Sequence, residues 1–180
     1  MEFARDLVMT GAIFGLATLI WAGWAQENPP GTGWRVVLAA LSAAGLALLG
    51  FSIPVAITHW NTPSAIGSMS PALIAYIIVF WVEIIVCVAL AVYFTRTKRP
   101  HLVAPLVLIV VGVHFVPLAF VFGQAVLVLA AVLATAAGIA ALVLPRSNAS
   151  PSFWCGILAA PVFVVLGTIS LVAGATALNG

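Results

Sequence analysis

PALIAYIIVFWVEIIVCVALAVYF, residues 71–94, is an unbroken apolar run that carries one charge, Glu83, near its middle. At a helical rise of 1.5 Å per residue, about 20 residues cross the roughly 30 Å hydrocarbon core of a bilayer. The run therefore reads as a membrane-spanning helix with a carboxylate at its driest level. An ionisable side chain at mid-membrane costs about 3 kcal/mol even on lenient insertion scales, so it marks function by default and calls for a partner. The partner the sequence offers is His114.

Working outward with a window of about 19 residues, five further runs of spanning length emerge. The six predicted helices occupy 7–24, 34–57, 71–94, 102–122, 125–144 and 153–178. Their separators are QENPPG at 26–31, NTPS at 61–64, RTKRP at 96–100, FGQ at 122–124 and the stretch 145–151, all rich in residues that break helices. No run alternates with period two, which excludes a transmembrane barrel, and a helix is the other structure that satisfies its own backbone in lipid. The expected fold is all-α: a polytopic membrane protein, a six-transmembrane-helix bundle forming a single domain over residues 1–180.

Composition agrees, with 64% hydrophobic and 6% charged residues and a mean hydropathy of +1.28. A net charge of +2 from six Lys and Arg supplies no basic field for nucleic acid. Cys87 and Cys155 lie within apolar runs and read as buried thiols rather than a disulfide framework. The first six residues carry Glu2, Arg5 and Asp6 instead of a basic cluster, so the first run is expected to be a retained helix and not a signal peptide.

Lys and Arg in short loops set orientation. Arg35, Arg96, Lys98, Arg99 and Arg146 fall on one side of the predicted bundle and Arg5 alone on the other. The expected location is a bacterial inner membrane, with those five cations inside and both termini outside. Trp24, Trp34, Trp60 and Trp154 sit at helix ends, where indole rings favour the headgroup level. The three cations of 96–99 read as a topology signal rather than a dedicated site for anionic lipid.

SAAGLA at 42–47 resembles TAAGIA at 135–140, and Pro71 and Pro161 recur at a similar offset. Two inverted three-helix halves, as in several transporter folds, are the expectation this raises. The competing explanation is composition, because small residues four apart are what close helix packing in lipid requires.

The hairpin joining the third and fourth helices supplies the mechanism. The midpoint between Glu83 and His114 falls between Lys98 and Arg99, inside the predicted turn 95–101, so antiparallel helices bring both side chains to one depth. Spacings of three and four put Tyr76, Phe80, Glu83 and Cys87 on one face. Pro117 removes a backbone donor from the turn around His114, Gly112 permits close approach of a neighbouring helix, and Pro54 gives the second helix the same capacity to bend. Burial and mutual contact act in opposite senses on the two ionisable groups, which leaves their protonation state open.

No metal site is expected, since catalytic zinc needs about three protein ligands and His59 and His101 lie near opposite membrane faces. No cofactor is expected either, because His114 has no second His at its depth for a bis-His haem. No phosphate-binding Gly loop follows a strand. His59, Trp60 and Asn61 group with Gln124 and Tyr76 as an expected access vestibule. The leading expectation is a protein that binds or transports a small, weakly polar solute, coupled to a proton, through a cavity containing Glu83, His114, Tyr76 and Cys87. Besides the lipid bilayer and this small molecule, a second copy or another membrane protein is the expected kind of partner. The first alternative is a non-transporting accessory subunit or membrane scaffold. An intramembrane enzyme comes third and needs a further polar group beside the pair, such as Tyr76 or Thr10.

Overall fold

A computed structural model describes residues 3–146 and 149–180. The described residues form six long helices: α1 (Ala4–Ala25), α2 (Thr32–Thr58), α3 (Pro71–Arg96), α4 (Val103–Phe122), α5 (Ala125–Val143) and α6 (Pro151–Asn179). A 3-10 turn, Pro100–Leu102, leads into α4, so Leu102 precedes the α-helix proper. No strand occurs among the described residues, and all six helices are long and apolar enough to span a membrane. The loop 145–151 lies partly outside the described residues.

Local chemistry fixes the ends. The Ser70 and Ser150 hydroxyls accept hydrogen bonds from the Leu73 and Phe153 backbone N–H groups, with Pro71 and Pro151 following in the first turn. This arrangement satisfies orphan donors where proline has none to offer. α4 ends at Gly123, whose φ of 63° is left-handed and allows the tight reversal into α5.

α1, α2 and α6 form the compact part of the bundle. α1 runs antiparallel to both partners, with Gly15 against Gly45 of α2 and Gly11 against Gly167 of α6. A Cβ on Gly45 would stand 2.7 Å from the Gly15 carbonyl oxygen, so these backbones touch as only small residues allow. Gly156 of α6 fits in the same way against Trp21 and Ala25. The start of α1 lies beside the end of α6, where Gly174 meets Ala4 and Val8. The start of α1 and the end of α6 are therefore on one side of the bundle.

α4 and α5 form a second tight hairpin, with Gly112 against Thr135 and Gly138 against Pro105 and Ile109. It is joined to the first group through α6 and through a cluster of Phe14, Phe115 and Phe163, whose ring centroids are 5.4–6.0 Å apart. α3 stands outermost, with α4 as its main packing partner, and contains no buried residue.

Candidate functional site

α3 meets α4 along a single stripe. Tyr76, Val79, Glu83, Cys87, Leu90 and Phe94 are half-buried, while most residues between them are exposed. Spacings of three and four align this stripe on one side of the helix. Glu83 Oε2 stands 3.3 Å from His114 Nδ1, with the side chains 16% and 10% exposed. The distance is that of an ion pair, but Nδ1 has no aligned hydrogen-bond partner among the described residues. Two turns away, the Tyr76 ring packs edge-on against Phe122 at 5.9 Å and stacks on Phe80 at 6.4 Å. Both cross-seam contacts are centred on the Lys98–Arg99 turn, which identifies an antiparallel hairpin in one register.

The two sides of the pair differ mechanically. The His114 ring lies 5.8 Å from that of Phe115, which belongs to the buried cluster with Phe14 and Phe163. His114 is thus backed by the core, whereas Glu83 rides on the helix with least burial. Gly112 faces away toward Thr135 of α5. Pro117 lies inside α4 and Pro54 inside α2, and each deprives the carbonyl four residues earlier, that of Val113 or Gly50, of its helical donor. Cys87, one turn from Glu83, and Cys155 are free thiols.

A second polar group closes the bundle on the side of the chain ends. Asp6, only 4% exposed, accepts hydrogen bonds from Ser64 Oγ at 2.8 Å and from the Ala65 backbone N–H at 2.7 Å. It clasps the α2–α3 loop to α1. Arg5 donates to the Trp60 carbonyl and lies over the Trp60 ring. Thr10 Oγ1 is 2.9 Å from both the Asp6 carbonyl and Gln124 Oε1. A hydroxyl has one proton to donate, and turning the Gln124 amide so that Nε2 donates to Oγ1 satisfies both. In the orientation shown, Gln124 Nε2 lacks a partner among the described residues, as does Ser52 Oγ.

Four of the five residues expected to form a vestibule have local partners. Trp60 is held by Arg5, Gln124 by Thr10, Tyr76 by Phe122, while His59 Nδ1 lies 3.0 Å from the Val55 carbonyl. Asp6 was not singled out by sequence reasoning as a site residue. A carboxylate at the mouth of an apolar run, with a Pro-Ser turn elsewhere offering free donors, is the signal that marks it. Asp6→Ala is expected to destabilise the protein by about 2 kcal/mol, since charge-assisted hydrogen bonds would be lost and their donors left unpaired. Equilibrium unfolding in mixed micelles, with amide exchange at Ala65, measures the loss and locates it.

The opposite side collects the basic loops. A cavity of about 360 Å³ there is lined by Asn28, Pro30, His101, Arg146 and Ser150, among others. A second, open groove of about 610 Å³ runs along the outer side of α3 from Ile84 to Thr97. Among the described residues, no three His, Cys, Asp or Glu side chains gather in a set that could hold a metal ion.

Residues 68–177, which contain α3, α4, α5 and most of α6, match a family model described as "Family of unknown function (DUF6609)". No curated protein and no solved structure matches the chain.

Proposed function

The chain belongs to this family of unknown function, and we propose that it binds and moves a small, weakly polar solute across a membrane together with a proton, at the seam between α3 and α4. The observation that carries this reading is the contact of Glu83 with His114 halfway along two spanning helices. A carboxylate there acts as an acceptor when ionised and as a donor when protonated. The coupled pair takes up and releases a proton as a unit.

Glu83 is the proton carrier or the hydrogen-bond partner of the solute in this reading, and His114 tunes it. Their attraction holds α3 to α4. A proton on Glu83, or a solute competing for its oxygens, weakens that attraction, and the seam opens on the side of the less-buried helix. Tyr76 and Cys87 flank the pair on the same stripe. Pro54 and Pro117 give α2 and α4 points at which to bend, while Gly112 lets α4 lie close on α5.

The reading includes a bacterial inner membrane with both termini outside, supported by the five Lys and Arg residues opposite the chain ends. It also includes inverted halves: Gly45 packs on the helix before its own, and so does Gly138. Matching segments of α2 and α5 thus make matching contacts, as a duplicated unit would.

The test is proton entry into proteoliposomes, read with an entrapped pH dye while gradients of small amides, alcohols and aromatic amines are imposed. Solute-dependent proton flux is expected from the wild type. Unaltered flux in Glu83→Gln would sink the proposal.

The alternative of an accessory subunit or scaffold has one observation in its favour, the absence of buried residues on α3. A defined hetero-complex after mild extraction, with α3 protected from lipid-soluble labels, would favour it. The enzymatic alternative has none, because Thr10 is engaged with Gln124 and Asp6 and Tyr76 sits two turns from Glu83.

A further inference from the structure

We propose that the outer side of α3 is a binding site for an anionic phospholipid, with an acyl chain in the apolar groove and the phosphate at Arg96, Lys98 and Arg99. The groove is lined by Ile85, Val88, Val92, Tyr93, Arg96 and Thr97, among others, and so changes from aliphatic to cationic along its length. Ile84 and Arg96 are separated by about 18 Å of helical rise. That exceeds half of the roughly 30 Å core, so a groove beginning near the bilayer centre delivers Arg96 to headgroup depth.

The cationic end is free to bind. Arg96, Lys98 and Arg99 are exposed, and none forms an ion pair among the described residues. Three neighbouring cations attract anionic headgroups with about 1 kcal/mol each, and a guanidinium can engage a phosphate through two parallel hydrogen bonds.

The turn itself adds an independent observation. α3 ends in a paired closure in which the Arg99 N–H donates to the Phe94 carbonyl at 2.8 Å and the Lys98 N–H to that of Thr95 at 3.1 Å. This motif places its reversing residue in left-handed backbone, where glycine is the usual occupant. Lys98 has φ 59°, at a conformational penalty of about 1 kcal/mol for a residue with a Cβ. The closure fixes the turn on which the exposed Lys98 and Arg99 stand.

The groove distinguishes this site from a loop of topology-setting cations. Sequence shows the cations, and the fold shows that the apolar face of α3 leading to Arg96 is open rather than buried in the bundle. The occupant is therefore a two-part molecule, with an anionic head and a hydrocarbon chain. This inference does not depend on proton coupling at Glu83.

The experiment is native mass spectrometry of the purified full chain in mild detergent, titrated with phosphatidylglycerol or phosphatidylcholine of the same acyl chains. Phosphatidylglycerol is expected to be retained about tenfold better, in line with cation–headgroup attraction. The triple substitution Arg96→Gln, Lys98→Gln, Arg99→Gln is expected to abolish the preference. So is Ala89→Trp, which fills the groove and leaves every charge in place. Lys98→Gly is expected to raise thermal stability in detergent alone, by relieving the backbone, while lowering phosphatidylglycerol retention. Equal retention of the two lipids would overturn the proposal. So would a preference that survives either the triple substitution or Ala89→Trp, since survival in the latter means adsorption to the charges alone.

Discussion

Glu83→Gln is expected to abolish solute-coupled proton flux while leaving the six-helix bundle folded. Glutamine keeps the size of the side chain and one acceptor oxygen but can neither bind nor release a proton. The fold tolerates the change because α3 contributes no buried residue, and Glu83 makes no aligned hydrogen bond to His114 that glutamine would break. Loss of carboxylate charge also removes the attraction across the seam, so the variant should sit permanently in the looser arrangement. His114→Gln should retain a lower flux with an altered pH profile, because the proton carrier remains and its neighbour has gone. Initial rates across pH 5 to 8 in proteoliposomes distinguish the two variants.

Gly112→Leu is expected to be the most damaging single substitution near the site, costing about 3 kcal/mol at the upper end of the overpacking range. A Cβ at this position would run into the Thr135 side chain and backbone, and backbone cannot turn aside as a flexible side chain can. The α4–α5 hairpin must then separate, and the Phe115 contacts that hold His114 against the core move with it. Unfolding by SDS titration in mixed micelles gives the stability loss. The same variant should lose flux even under conditions where it remains folded, which separates a displaced His114 from a general loss of protein.

The number of helices, their lengths and the shared depth of Glu83 and His114 were legible in the sequence. The reasons are physical: hydrocarbon thickness sets the length of an apolar run, and an antiparallel hairpin relates the depth of two residues through its turn. Ser150 before Pro151 even marks the true start of α6, two residues earlier than the apolar run suggests, because capping chemistry is local.

Azimuth was not legible. In water a helix shows its buried side as an apolar stripe, but lipid is as apolar as a protein core, so that stripe disappears. α3 is the plainest case. It is the most apolar of the six helices and has no buried residue, while α1, the least apolar, is half buried. Hydropathy alone would have placed the wrong helix at the centre. The better guide was small residues: Gly15 and Gly45 mark the α1–α2 contact and Gly112 the α4–α5 contact, because close backbone approach demands them. The Asp6 clasp was hidden for a different reason, since its donors on Ser64 and Ala65 lie 58 and 59 residues further along the chain.

The central claim is that the protonation state of the Glu83–His114 pair sets the position of α3 on α4. Spin labels at Ile78 of α3 and Phe120 of α4, both on exposed positions and in a background with Cys87 and Cys155 replaced by alanine, report that separation directly in lipid nanodiscs. The account predicts a distance distribution that shifts between pH 5 and pH 8 in the parent protein and stays fixed in Glu83→Gln. A distribution unchanged by pH in the parent, or one that shifts equally in Glu83→Gln, would contradict it.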